Sequence, residues 1–162
     1  IEDAYADSVA GRPSEKPILE MTIPSKLDET LAPKGKYVIN LFTQYGPYNL
    51  REGLNWETER ENYANRAIDI LCEYAPNMKN SIIHRQVLTP VDLEREYFIT
   101  GGSLFHGRMT LDQMFHMRPV PGYANYRTPI KDLYLCGSAT HPGGGVMGTS
   151  GLNASKEILK DW

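Results

Sequence analysis

Leu133-Tyr134-Leu135-Cys136-Gly137, then Ser138-Ala139-Thr140-His141-Pro142, then Gly143-Gly144-Gly145-Val146-Met147-Gly148 is the stretch on which the reading of this chain turns. Its first five residues are apolar, with Tyr and Leu favouring extended backbone, and predict a short buried strand closed by glycine. From about Val146 to Leu159, residues Met147, Ser150, Gly151, Ala154, Ile158 and Leu159 recur at helical spacing. A strand, a glycine loop and a helix N-terminus together suit an anionic ligand group. Glycine admits close approach to the backbone, and the first helical N–H groups are free donors at the positive end of the dipole.

As a pattern, Gly143-x-Gly145-x-x-Gly148 matches a dinucleotide fingerprint, but its context does not. A complete fingerprint puts its first glycine at the strand end, a second strand after the helix and an acidic residue about 20 positions on. Here five residues separate Gly137 from Gly143, and no second strand follows before Trp162. The stretch is therefore not a complete nucleotide-binding βαβ unit. A glycine loop that merely precedes a packed helix stays open as the plainer reading. The three-residue recurrence of Gly145, Gly148 and Gly151 leaves one helix flank nearly bare for a ligand or another backbone.

Upstream, Ile1 to Pro17 is small and polar, either the end of a helix or loop. Ile18–Ile23 reads as a strand ended by Pro24, and Tyr37–Tyr45 is the strongest strand signal, so an antiparallel pair is expected. Trp56–Ala75 is the strongest helix signal, with Asn55 as N-cap, acidic residues in its first turn and Pro76 as its stop. Its expected apolar face is Tyr63, Ala67, Ile70, Leu71 and Tyr74. Ile82–Leu88 reads as a strand, and a short helix follows from Thr89-Pro90 to Tyr97. Leu104–Thr128 has little period; long irregular stretches of this kind are often functional. The fold class is α+β.

With 162 residues, 41% hydrophobic and 23% charged, the chain is neither disordered nor membrane-like. No apolar run nears the about 18 residues of a spanning helix. A net charge of -3 with scattered Lys and Arg argues against nucleic-acid binding. Cys72 and Cys136 form no CxxC pair and read as two buried thiols of a reducing compartment, cytoplasmic or an organelle matrix. The opening Ile-Glu-Asp-Ala-Tyr carries neither a signal peptide nor an initiator Met, so a piece of a longer protein is expected.

Chemistry-bearing side chains are sparse. His84, His106, His116 and His141 lack zinc spacing, so no metal is expected. His141 either faces a ligand or serves the loop alone. His106, with Arg118 in the same irregular stretch, lines a substrate cavity or lies in solvent. Tyr45, Tyr48, Tyr123 and Tyr126 belong to an aromatic wall or to the core. No Gly-x-Ser-x-Gly is present for hydrolase chemistry, and Met109, Met114 and Met117 read as gap-filling core.

The run from Leu133 to Gly148 resembles the C-terminal flavin motif of the phytoene desaturase-like FAD-dependent oxidoreductases. Collinear segments extend the likeness: Ile23-Pro-Ser-Lys-Leu-Asp, Ala32-Pro-Lys-Gly-Lys-Tyr, Gln44-Tyr-Gly-Pro-Tyr, Tyr74-Ala-Pro-Asn, Gly101-Gly-Ser-Leu-Phe-His-Gly, Asp112-Gln and Arg118-Pro-Val-Pro-Gly-Tyr. The resemblance implies a Rossmann-like FAD domain made from both chain ends, with a mixed or antiparallel-sheet substrate domain between. This chain would supply the later substrate domain (1–126), then the last strand and helix of the FAD domain (127–162). The family's N-terminal Gly-x-Gly-x-x-Gly is absent. By carry-over, Gly137 and Ser138 lie near the pyrophosphate and ribityl chain. Gly144 and Gly145 form the loop, and Val146, Met147 and Gly148 present N–H groups to the flavin pyrimidine edge. Ser138 stands where related flavoenzymes often place an acid. The implied chemistry is hydride transfer from an apolar or amine-bearing small molecule to flavin, which needs no side-chain nucleophile. The chain alone is expected to be inactive. A second reading is a non-enzymatic module that binds a partner or self-associates into a homo-oligomer through its orphan strand and helix.

Overall fold

The computed structural model describes residues 1–145 and 147–162. The chain divides into two compact units, Ile1–Val91 and Asp92–Trp162. The boundary that the resemblance implies, between 126 and 127, falls inside the second unit.

The first unit is a strand pair and a long helix. Helix α1 (Glu2–Val9) places Glu2 and Asp3 at the positive end of its dipole. Fully buried Ser14 ties it to the strands. The Ser14 hydroxyl donates to the Ala4 carbonyl at 2.8 Å and accepts the Tyr45 N–H at 2.9 Å. Strands β1 (Ile18–Thr22) and β2 (Asn40–Gln44) are antiparallel, with Ile18 opposite Gln44 and Thr22 opposite Asn40. The pairing expected from their β-favouring runs is present, though β2 begins three residues later than Tyr37. The link between them is pinned where Ser25 Oγ accepts the Val38 N–H at 3.0 Å.

Helix α2 (Trp56–Tyr74) starts as its sequence signals require: Asn55 accepts the Thr58 N–H at 3.0 Å, and Glu57 and Glu59 fill the first turn. Trp56, Tyr63 and Ala67 form its buried face. The indole meets the Tyr63 ring edge-on at 6.0 Å and donates to the Pro47 carbonyl at 2.9 Å. Gly46 permits that packing, since a Cβ there would lie 3.2 Å from the indole. Tyr74, expected on the apolar face, is 84% exposed, so the buried face ends before the last turn. Residues 82–88, expected as a strand, pair with nothing among the described residues. β-favouring residues make a strand only where a neighbour meets their N–H and C=O groups.

The second unit has little regular structure. Helix α3 (Pro90–Tyr97) crosses the boundary, with Pro90 at its first position, where a missing N–H costs nothing. Residues 103–125 are irregular apart from 3₁₀ turns at Leu111–Gln113 and Phe115–Met117. The strand expected at Leu133–Gly137 is reduced to one bridge, Tyr134 with Arg127. Leu133, Leu135 and Cys136 are exposed, so this segment is not buried. Cys72 is half-buried and also free, which replaces the expectation of two buried thiols. A strand forms only where a neighbour meets its N–H and C=O groups, and among the described residues segment 133–137 bridges Arg127 alone.

Helix α4 (Thr149–Ile158) starts after Gly148, whose φ of +67° cannot belong to a right-handed helix. The helix expected from about Val146 is thus shorter, and Val146 itself lies outside the described residues. Ala154 is fully buried on α4. Its C-terminal end is clamped by Arg127, which donates to Glu157 at 2.6 Å and to Asp161 at 2.7 Å. Among the described residues no helix is long and apolar enough to cross a membrane.

Candidate functional site

The glycine loop in the second unit owes its shape to neighbouring backbone. The glycines divide by what a side chain would meet. At Gly144 a Cβ would lie 2.7 Å from Phe105 Cα and 2.8 Å from its carbonyl oxygen, so only glycine fits against that backbone. Gly143 and Gly145 hold φ of +130° and +126°, which other residues rarely adopt. At Gly137, Gly148 and Gly151 a Cβ would meet open space. Gly148 is still required by its left-handed backbone. Gly137 and Gly151 have neither restraint, so nothing within the described chain accounts for their lack of side chain.

Two buried side chains fix this loop. Tyr126, 6% exposed, donates its hydroxyl to the His141 carbonyl at 2.9 Å and accepts from Asn153 Nδ2 at 2.9 Å. It therefore joins the loop to α4. Ser150 Oγ adds a second donor to the His141 carbonyl at 3.1 Å. The other is Arg118, with no exposed surface. Its Nε donates to the Gln113 carbonyl at 2.8 Å, Nη1 to the Phe105 carbonyl at 2.9 Å and Nη2 to the Arg108 carbonyl at 2.9 Å. Longer contacts reach the carbonyls of His106 at 3.4 Å and Ser138 at 3.3 Å, and Met109 Sδ at 3.7 Å.

Ser138 follows Gly137 at a tight turn, in which Thr140 returns its N–H and hydroxyl to the Gly137 carbonyl at 3.0 and 2.7 Å. His141 Nδ1 lies 2.7 Å from the Phe115 carbonyl, which can only accept. The Nδ1 position thus carries the proton and Nε2 is the ring atom left for another partner. Phe105, Met109 and Phe115 each meet this loop through backbone or thioether and expose their side chains. The surroundings are apolar and aromatic.

Among the residues singled out from sequence, Gly137, Ser138, Gly144, Gly145, Met147, Gly148 and His141 lie along one loop and helix start. Val146 is not described. Arg118 lies beneath the loop with its donors turned to backbone carbonyls. His106 is exposed and adopts φ +53°, its carbonyl turned toward Arg118. Tyr45 is in the first unit, edge-on to Tyr5 at 5.8 Å. Tyr126, expected in an aromatic wall or the core, and Ser150, expected on a helix flank, instead bond the His141 carbonyl, with Asn153 as a second partner of Tyr126; Thr140 carried no sequence signal, since a backbone carbonyl partner leaves no mark in a sequence. Among the described residues no group of three His, Cys, Asp or Glu could hold a metal. No side chain caps α4, so its first N–H groups meet no side-chain acceptor among the described residues.

The chain is 50% identical over 162 residues to pyridine nucleotide-disulfide oxidoreductase domain-containing protein 2 of Mus musculus, covering 99% of this chain and 28% of that protein. It is 49% identical to the Rattus norvegicus protein of the same name over the same shares. A 4,4'-diapophytoene desaturase (4,4'-diaponeurosporene-forming) of Staphylococcus aureus (strain Newman) is 31% identical over 157 residues, 93% of this chain and 30% of that one. The chain thus spans under a third of the length of these curated relatives. No family model matches it, and no solved structure does. The likeness read from the glycine stretch holds along the whole chain, and the relatives carry the names of oxidoreductases.

Proposed function

We propose that this chain is the C-terminal part of an FAD-dependent oxidoreductase, contributing the loop and helix that face the flavin. Residues 127–162 would complete a Rossmann-like FAD domain and residues 1–126 the substrate domain. The observation that carries this reading is the pair Gly137 and Gly151. Both lack a side chain where none of the described residues comes near, Gly137 three residues after the Tyr134 bridge and Gly151 in the first turn of α4, on either side of one loop. A planar cofactor laid along that bare face meets backbone alone. The uncapped start of α4 offers donors there, and the positive end of its dipole favours an electron-rich ring. The residues present therefore fit the group.

Bound FAD supplies hydride acceptance from a substrate carbon. The chain's own part is to bind and orient. Gly144 seats the loop on Phe105, Tyr126 fixes the loop to α4, and the Ser138 hydroxyl would hydrogen-bond a polar chain passing Gly137. His141, protonated at Nδ1, holds Phe115 beside the loop. The exposed side chains of Phe105, Met109 and Phe115 favour an apolar or amine-bearing substrate over a highly charged one.

The alternative, a self-contained partner-binding module, requires the strand and helix to close a core. Leu133 and Leu135 are instead exposed and Tyr134 makes a single bridge, an arrangement that favours a missing neighbour. Flavin absorbance decides. The full-length protein should carry about one FAD, and the 162-residue chain alone little or none. A full-length protein purified without flavin, and unable to take it up, overturns the proposal.

A further inference from the structure

The Arg118 guanidinium is completely buried, yet none of its partners is charged. Five backbone carbonyls and a thioether surround it, and among the described residues no carboxylate forms an ion pair with it. It lies against the glycine loop: a Cβ on Gly143 would be 4.0 Å from Arg118 Nε. Carbonyl dipoles satisfy its N–H groups but do not cancel its charge. An arginine cannot escape by losing its proton, as a buried lysine can. A full positive charge, screened little by solvent, is therefore fixed under the loop.

Resting on the FAD reading above, we propose that Arg118 is a positioning residue that also tunes the cofactor: its buried charge, held beneath the Gly143–Gly145 loop, makes the flavin easier to reduce. Reduction adds negative charge to the ring, and a fixed cation nearby stabilises that product more than the neutral oxidised ring. The carbonyl cage keeps the cation in place and ties the Phe105–Gln113 segment to Ser138, so loop position and charge are set by one side chain. Because the charge is enclosed, its effect should survive salt that would screen a surface lysine.

The test is the flavin midpoint potential of the full-length holoprotein, read against a dye of known potential, in Arg118→Lys and Arg118→Met. Both substitutions lose most of the carbonyl contacts and have similar bulk, and the potentials are read at pH 6, far below the ordinary lysine pKa of about 10.4, so that the lysine keeps its proton and only Arg118→Met lacks the charge. Arg118→Met should lower the equilibrium constant for flavin reduction at least tenfold, about 30 mV for a two-electron couple, while Arg118→Lys stays within about threefold of wild type. Should Arg118→Met not retain flavin, Gln113→Glu takes its place, because Gln113 Oε1 and Arg118 Nη2 lie 4.0 and 3.7 Å from the same point above Gly107. That carboxylate should lower the constant at least threefold, and Gln113→Met should leave it unchanged. Equal potentials in the charged and uncharged variants overturn this inference and leave the FAD proposal standing. A wild-type protein without flavin defeats the FAD proposal, and with it this one.

Discussion

The two units of this chain are held by different chemistry. In the first, an indole, a phenol ring and Ala67 on one helical face make the core, and a serine joins the ends. In the second the buried set is mostly polar: Asp92, Arg118, Thr140 and Ser150, with Ala154 and the hydroxyl-bearing Tyr126. Apolar burial is non-directional and tolerates small shifts, whereas a hydrogen-bonded hub works in one geometry only. The glycine loop proposed to face the flavin, which would have to present backbone donors at fixed positions, belongs to the unit of the second kind.

The contrast is sharpest under truncation. Trp56→Ala should cost about 3–5 kcal/mol, the range for deleting a buried aromatic side chain, read as a lowered urea midpoint. Flavin binding by the full-length protein should weaken only through that loss. A smaller cost, below about 1 kcal/mol, would mean that the first unit is not held by its apolar face.

Gly144→Ala should cost about 1–3 kcal/mol as an overpacking change, because the new methyl meets Phe105 Cα at 2.7 Å and neither backbone has a flexible end to yield. The larger effect is on function: the loop lifts from Phe105 and FAD retention in the full-length protein falls at least tenfold. Gly137→Ala is the complement, free of any clash within the chain. It should leave apo stability within about 0.5 kcal/mol of wild type and weaken FAD binding all the same. Normal FAD affinity in Gly137→Ala would remove the bare-face argument.

Such positions also show what a sequence can reveal. The β1–β2 pair, α2 with its Asn55 cap and α3 behind Pro90 were readable, because caps, turns and periodicity are local. The segments 82–88 and Leu133–Gly137 were not, since strand formation depends on a partner that local pattern does not supply. The loop glycines could be picked out, but not their division of labour: Gly144 answers to Phe105, nearly 40 positions away. Arg118 illustrates the same limit. In the sequence it reads as lining a substrate cavity or lying in solvent, whereas it is fully buried among backbone carbonyls, which are common to every residue type.

Tyr126→Phe removes a buried hydroxyl that serves two partners, the His141 carbonyl and Asn153 Nδ2. The expected cost is about 1–2 kcal/mol, the loss for one or two neutral hydrogen bonds with partial solvent replacement. Hydrogen exchange should locate it at the loop and the first turn of α4, with the α2 amides unaffected. Uniform loosening of both units would contradict the separation drawn here.

The smallest effect is expected at the exposed end of the second unit. There the Arg127 guanidinium, then the Tyr134 hydroxyl, hold the Asp161 carboxyl down at about 2, against an ordinary 3.8. Lys160 and then Arg127 likewise lower Glu157. A depressed carboxylate stabilises the folded state above its ordinary pKa, and that contribution fades as pH falls through the folded value. The clamp on α4 should therefore hold at pH 5 and above and loosen between about pH 4 and 2, Asp161 last. Because the groups face solvent, high salt should weaken it at neutral pH as well. Titration of the Asp161 carboxyl by NMR checks this directly. A value near 3.8 would show that Arg127 does not grip the chain end in solution, and α4 would then be held by Ala154, Tyr126 and Ser150 alone.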